Sequence, residues 1–212
     1  MAKLKLGIFG PISGKLGNLI GGVWKGIPYV KEYKPKEEKG KRSAARLANE
    51  EKFRFVNNWL VPFHPFISVG YLNMATRQTT VSAAFSQIYN TVFSGTFPNL
   101  EIDHSKMAIS MGKLPMVLDT AVNFLAEDII QLSWNKNTRK GTKYNDQIIV
   151  VLYDREQEIA DGFIGGVNRS AESCSYKFNE YLIGKQLDIY VGISSMDRTK
   201  ISDSQYLGRF NP

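Results

Sequence analysis

Gly10-Pro-Ile-Ser-Gly-Lys-Leu16 comes closest to a motif with chemistry of its own, since a glycine-flanked loop ending in lysine can cradle a phosphate. A true phosphate loop has four residues between its glycines, follows the lysine with Ser or Thr to hold magnesium, and opens a helix. Here three residues separate Gly10 from Gly14, and Leu16 replaces the hydroxyl. Gly17, Gly21 and Gly22 then discourage the helix whose N-terminus would meet the phosphates. The stretch reads instead as a segment where glycine lets backbones approach closely.

Other chemistry-bearing residues are sparse. His64 and His104 are the two histidines and Cys174 is the single cysteine, so no intrachain disulfide can form. A zinc site needs about four ligands at recognisable spacing, which these do not supply. A Cys174/His104 pairing is conceivable in three dimensions, but Ser173-Cys-Ser175 carries no mark of a nucleophile. The carboxylates Glu101/Asp103, Glu127/Asp128 and Glu156/Glu158 read as surface charge by default. Asn168-Arg-Ser170 fits the glycosylation tripeptide, but no export signal accompanies it. No catalytic residue, metal ligand or cofactor is assigned.

Charge is the feature above background. From Met1 to Ala48 there are 11 Lys and Arg against three Glu, a net of +8, whereas the remainder has 16 against 17, a net of −1. Lysines alternate there with aromatics, and the candidate interaction residues are Phe9, Lys15, Trp24, Lys25, Tyr29, Lys31 and Tyr33. Lysine with aromatic rings can neutralise phosphates and stack bases, or anchor a protein partner. The same stretch carries Leu6, Ile8, Ile12, Leu16, Leu19, Ile20 and Val23, too apolar for a solvated tail and too glycine-rich to bury them unaided.

The elements that must position these residues fall into three parts: a basic Gly-rich arm over 1–40, a helical segment over 41–103, and a β domain over 104–212. Val23 to Tyr33 is expected to form a hairpin turning at Lys25-Gly26, with Tyr29, Lys31 and Tyr33 on one face and Pro28 at an edge. Lys34 to Lys41 reads as a charged linker. Ser43 can cap a helix to about Val61 with a stripe of Leu47, Phe53, Val56, Leu60 and Phe63, ended by Pro62 and Pro65. Thr79 or Thr80 caps a second, and Gly95 falls where a left-handed C-terminal cap belongs. Ile130 to Trp134 alternates, Gln147 to Tyr153 is apolar on both faces like a central strand, and Leu187 to Ile193 alternates again. Met196 to Lys200 is a turn, and Ile201 to Phe210 the last strand.

On these residues the C-terminal half resembles a fibronectin type III or immunoglobulin-like sandwich. Trp134 sits where such domains bury a tryptophan, and Tyr190 to Ser195 with Ser202 to Tyr206 resembles their final hairpin. The whole chain is also similar to a family of uncharacterised small bacterial proteins. The likeness rests on Gly10-Pro-Ile-Ser-Gly-Lys-Leu-Gly-Asn18, the Arg46 to Phe53 segment, and Ser202-Asp-Ser-Gln-Tyr-Leu-Gly208. Neither resemblance implies an activity.

The expected fold is α+β: an extended N-terminal arm, a short helical segment and a C-terminal antiparallel β-sandwich. The expected function is non-enzymatic, a structural or interaction protein that docks or self-assembles into a homo-oligomer through its arm. The alternative is a nucleic-acid-binding protein using the basic aromatic arm. No apolar run has the length of a membrane span, and Leu6 to Ser13 is too short and broken for a signal peptide. Synthesis in the cytoplasm, and membership of a larger particle, are the expectations for localisation.

Overall fold

A computed structural model describes residues 3–4, 10–35, 42–75 and 78–211, which form two compact units, Met1–Ser43 and Ala44–Pro212. Phe9 and most of the expected linker, residues 36–41, lie outside the described residues.

The smaller unit is a four-stranded antiparallel meander, β1 (Lys3–Leu4), β2 (Ile12–Leu16), β3 (Leu19–Trp24) and β4 (Ile27–Glu32), in that spatial order. The hairpin turns at Lys25 (φ 48°) and Gly26 (φ 80°). Two consecutive positive φ angles give the two-residue turn whose twist matches its strands. Pro28, which has no N–H to donate, lies in the edge strand β4. The phosphate-loop look-alike is β2, and β3 rather than a helix follows it.

The larger unit has three layers. Its helices are α1 (Ala44–Trp59), α2 (His64–Gly70) and α3 (Thr80–Thr91), followed by the hairpin β5 (Phe93–Thr96) and β6 (Asn99–Ile102). The sandwich comprises β7 (Leu118–Ala126), β8 (Ile129–Asn135), β9 (Gln147–Asp154), β10 (Ile159–Asn168), β11 (Ser173–Lys177), β12 (Leu187–Ser194) and β13 (Gln205–Phe210). One sheet runs β11-β8-β7 and the other β10-β9-β12-β13, with every pairing antiparallel. This is the three-plus-four sandwich that the resemblance to fibronectin type III domains implies.

Strand β9 explains the layering. Ile148, Val150 and Leu152 face the three-stranded sheet and join Ile130, Leu132, Trp134, Leu187, Ile189 and Val191 in one core. Ile149, Val151 and Tyr153 alternate onto the other side and join Val56, Trp59, Phe63, Ile67 and Ile88 from the helices in a second. A strand apolar on both faces is what a sheet covered on both faces requires. Fully burying each large side chain contributes about 1.5–3 kcal/mol. Helix α2 meets the chain almost backbone to backbone: a Cβ on Gly70 would fall 2.0 Å from the Ile109 carbonyl oxygen.

Several local expectations need correction. Helix α1 ends at Trp59, near the expected bound before Pro62, but the chain turns helical again beyond it. Pro62 sits in a 3₁₀ turn (Val61–Phe63) and Pro65 opens α2, where the first-turn N–H has no intrahelical acceptor anyway. Leu47 and Phe53, expected on the buried stripe, are exposed; Val56, Trp59 and Leu60 carry the packing. Gly95 does not cap α3; Val92 does, and Gly95 (φ 79°) lies in β5. The expected cap at Thr79 is present, its Oγ1 accepting the Ser82 N–H at 3.1 Å. Between β9 and β10 the chain makes a tight hairpin turn, with Asp154 paired to Ile159.

Candidate interaction surface

In an antiparallel ladder, directly paired residues share a face and successive residues alternate. In the small meander, Leu16 pairs Leu19, Gly14 pairs Gly21, Gly21 pairs Val30, and Val23 pairs Pro28. Leu16, Leu19, Val23, Val30 and Pro28 therefore form one largely aliphatic face, with Glu32, the partner of Leu19, as its charged end. Lys15 pairs Ile20, Ile20 pairs Lys31, Gly22 pairs Tyr29, and Trp24 pairs Ile27. Those residues form the opposite, basic and aromatic face.

Among the described residues of the unit the sheet is a single layer, with no second layer over either side. Leu16 remains 56% exposed, Leu19 45%, Val23 56% and Val30 52%. A well-packed aliphatic strand residue in a two-layer domain is close to fully covered, as Ile148 and Val150 are in the larger unit. Gly21 is the buried exception on this face: a Cβ there would lie 2.1 Å from the Ile12 carbonyl oxygen, so the start of β2 curls over β3 and only glycine fits.

The sequence-predicted residues divide cleanly. Lys15 lies in β2, Trp24 ends β3, Lys25 occupies the turn, Tyr29 and Lys31 lie in β4, and Tyr33 follows it. Their rings are engaged within the unit. Lys15 Nζ sits 3.5 Å from the Tyr33 ring centre, and Lys25 Nζ 5.3 Å from that of Trp24. Tyr29 lies across Gly22, where a Cβ would come within 2.9 Å of the ring. The aliphatic face was not singled out as a site by residue type, although the alternation Leu19-x-Gly21-x-Val23 against Val30 carries it.

The other chemical candidates are dispersed. The four-stranded sheet separates Cys174, packed against the inter-sheet core, from His104, stacked on Trp59 and Tyr153 at 5.8 and 6.0 Å between ring centres on the helical side. They cannot form a nucleophile–base pair. Burial pushes the Cys174 thiol up to about 11, far from the range of an activated thiolate. Burial, then the Arg155 charge, holds the His104 imidazole below its ordinary range. Asp103, Asp128 and Glu156 each pair with a lysine at the surface, namely Lys106, Lys177 and Lys185. Among the described residues no three His, Cys, Asp or Glu gather as metal ligands, and no helix is long and apolar enough to cross a membrane.

Two ionic clusters, each with a buried carboxylate, brace the larger unit. Arg155 forks onto Asp188, which also accepts the Tyr206 hydroxyl at 2.7 Å. Arg169 pairs with Asp146 at 3.1 Å and donates to the Pro115 carbonyl at 2.6 Å, while Trp134 Nε1 donates to the Arg169 carbonyl at 2.9 Å. Both tie strands to loops.

Comparison with known proteins supplies a family but no activity. No curated protein matches the chain. Among solved structures, the fibronectin type III domain of human contactin 1 matches 48% of this chain and 77% of its own, at 15% identity and a TM-score of 0.30. A model of a family of unknown function, DUF6266, matches residues 11–208, from the second residue of the glycine-lysine motif to the end of the Ser202–Gly208 motif. The chain belongs to that family.

Proposed function

We propose that the protein is a non-enzymatic interaction protein that self-assembles through the aliphatic face of its N-terminal sheet. The single observation that carries this reading is a sheet, one layer thick among the described residues, with Leu16, Leu19, Val23 and Val30 about half exposed on one side. Covering the exposed half of each recovers about 1 kcal/mol, roughly 4 kcal/mol for the four. Association costs about 4–15 kcal/mol in lost freedom, so four side chains against a polar surface barely break even. A second copy supplies the same four in an isologous pair and doubles the gain to about 8 kcal/mol. A homo-oligomer, or a larger particle built on that contact, therefore fits the face better than a polar partner does.

Light scattering of the full chain against a variant lacking residues 1–40 tests this. The larger unit keeps both its cores without those residues, so it should stay folded while the oligomer is lost. A monomeric full chain, or an oligomer that survives the deletion, refutes the reading.

A second reading rests on the opposite face, where Lys15 and Lys31 stand among Trp24, Tyr29 and Tyr33 and could track a nucleic-acid backbone. It ranks lower because one face of each ring is already occupied by a lysine or by Gly22. Binding that falls steeply with salt would favour it; no retardation of DNA or RNA at low salt would end it.

A further inference from the structure

We infer that the cavity at the loop end of the sandwich is a binding site for a small amphiphilic carboxylate, an aliphatic chain ending in an anion. The cavity measures about 630 Å³, within the 300–1,000 Å³ typical of small-molecule sites. It lies wholly in the larger unit and does not depend on the reading of the N-terminal sheet. Its walls are apolar: Met74, Met111, Leu114, Pro115 and Ile201. Methionine thioethers adapt to an aliphatic chain without needing a fixed shape from it.

The walls are built before any ligand arrives. Leu114 N–H donates to the Ile201 carbonyl at 2.9 Å, Gly112 N–H to Asp203 at 3.0 Å, and Asn73 Nδ2 to the Met111 carbonyl at 3.0 Å. At Gly112 the segments touch so closely that a Cβ would lie 2.1 Å from the Ile201 carbonyl oxygen and 2.7 Å from Asn73 Nδ2. Three segments far apart in sequence are thereby pinned to one another.

The rim sets the charge of the ligand. Lys113, Lys140 and Lys200 come from three separate loops, and all three line the cavity. Among the described residues none of the three forms an ion pair with a carboxylate; elsewhere on the unit Lys106, Lys136, Lys177 and Lys185 do, and Lys52 and Lys143 do not. Asp203, the one acid in the lining, has an oxygen committed to Gly112 N–H. Three ammonium groups against one carboxylate leave an excess of positive charge at the mouth of an apolar cavity. An aliphatic tail matches the walls, and its carboxylate matches the lysines. A neutral ligand leaves the lysines unused, and a cation is repelled by them.

Titration of the full chain with sodium decanoate, followed by calorimetry and by amide chemical shifts, tests this. Saturable one-to-one binding is expected, with shifts at residues 111–114, 140–141 and 199–203. Decylamine should bind at least tenfold more weakly. The variant K113Q/K140Q/K200Q changes exposed side chains only, so it should melt like the parent and lose at least tenfold in decanoate affinity. Equal affinity for decylamine, shifts confined to other surfaces, or no saturable binding below the micellar concentration overturns the assignment. Retention on phosphatidylglycerol vesicles that disappears in the triple variant, without decanoate binding, assigns the lysines to a membrane surface and also overturns it.

Discussion

Removing Asp146 should destabilise the larger unit more than its single side chain suggests. Asp146 and Arg169 are 1% and 3% exposed, and the pair holds four segments together. Asp146 Oδ2 accepts from Arg169 Nε at 3.1 Å and from the Lys143 N–H at 2.9 Å. Arg169 reaches on to the Pro115 carbonyl, and its own carbonyl receives the buried indole N–H of Trp134. Burial holds the Arg169 guanidinium below its ordinary pKa against the opposing pull of Asp146. In Asp146→Ala the guanidinium stays buried with only a carbonyl as acceptor. Breaking a buried pair from one side costs about 3–5 kcal/mol, whereas replacing both members by apolar groups is often close to neutral. For a domain of 150–250 residues each kcal/mol moves Tm by about 2–4 °C, so D146A should melt roughly 10 °C lower. Urea unfolding of the full chain measures the loss, and a cycle with Arg169→Met and the double variant isolates the coupling. The double variant should be more stable than the sum of the singles predicts. A loss under about 1 kcal/mol in D146A, or strict additivity across the cycle, would refute the bracing role.

Two further outcomes follow from buried titratable groups. Cys174, with its thiol pushed up to about 11 by burial, should resist iodoacetamide at pH 8 in the native protein and react at the rate of an unstructured cysteine in urea; equal rates in both would contradict its packing against the inter-sheet core. His104 is held neutral by burial and Arg155, its pKa lowered from 6.5, and its Nδ1 is buried without a hydrogen-bond partner. The unfolded chain binds the proton more readily, so this contribution is complete above about pH 6.5 and is lost as pH falls through that value toward the folded pKa. Urea midpoints between pH 7.5 and 5 should fall faster for the wild type than for His104→Phe, and parallel profiles would show that His104 does not titrate with folding.

The sandwich was legible because its strands obey simple rules. The alternation at Ile130, Leu132 and Trp134 and the two-faced apolar run of β9 are consequences of a sheet packed on one side or on both. Strands β7, β10 and β11 were not legible. Strand β10 contains Gly162, Gly165 and Gly166, all at positive φ, which break the alternation that marks a strand. Pro65 opens α2 instead of closing the helix before it, because proline ends one helix and starts the next by the same property, and only the three-dimensional path decides between them. The interaction surface was half legible. Lysines and aromatics stand out by type, but the aliphatic face emerges only from the register Leu16↔Leu19 and Gly21↔Val30. The cavity was invisible, because Lys113, Lys140 and Lys200 meet only through the ends of strands distant in sequence.

Sedimentation velocity of two full-length variants tests the central claim most directly. Val23→Glu/Val30→Glu places charge on the aliphatic face of the N-terminal sheet and leaves the opposite face alone; Lys15→Gln/Lys31→Gln does the reverse. The account predicts that the first variant sediments as a monomer while the second keeps the wild-type oligomer. An oligomer indifferent to the glutamates, or one abolished by the loss of the lysines, would contradict assembly through the aliphatic face.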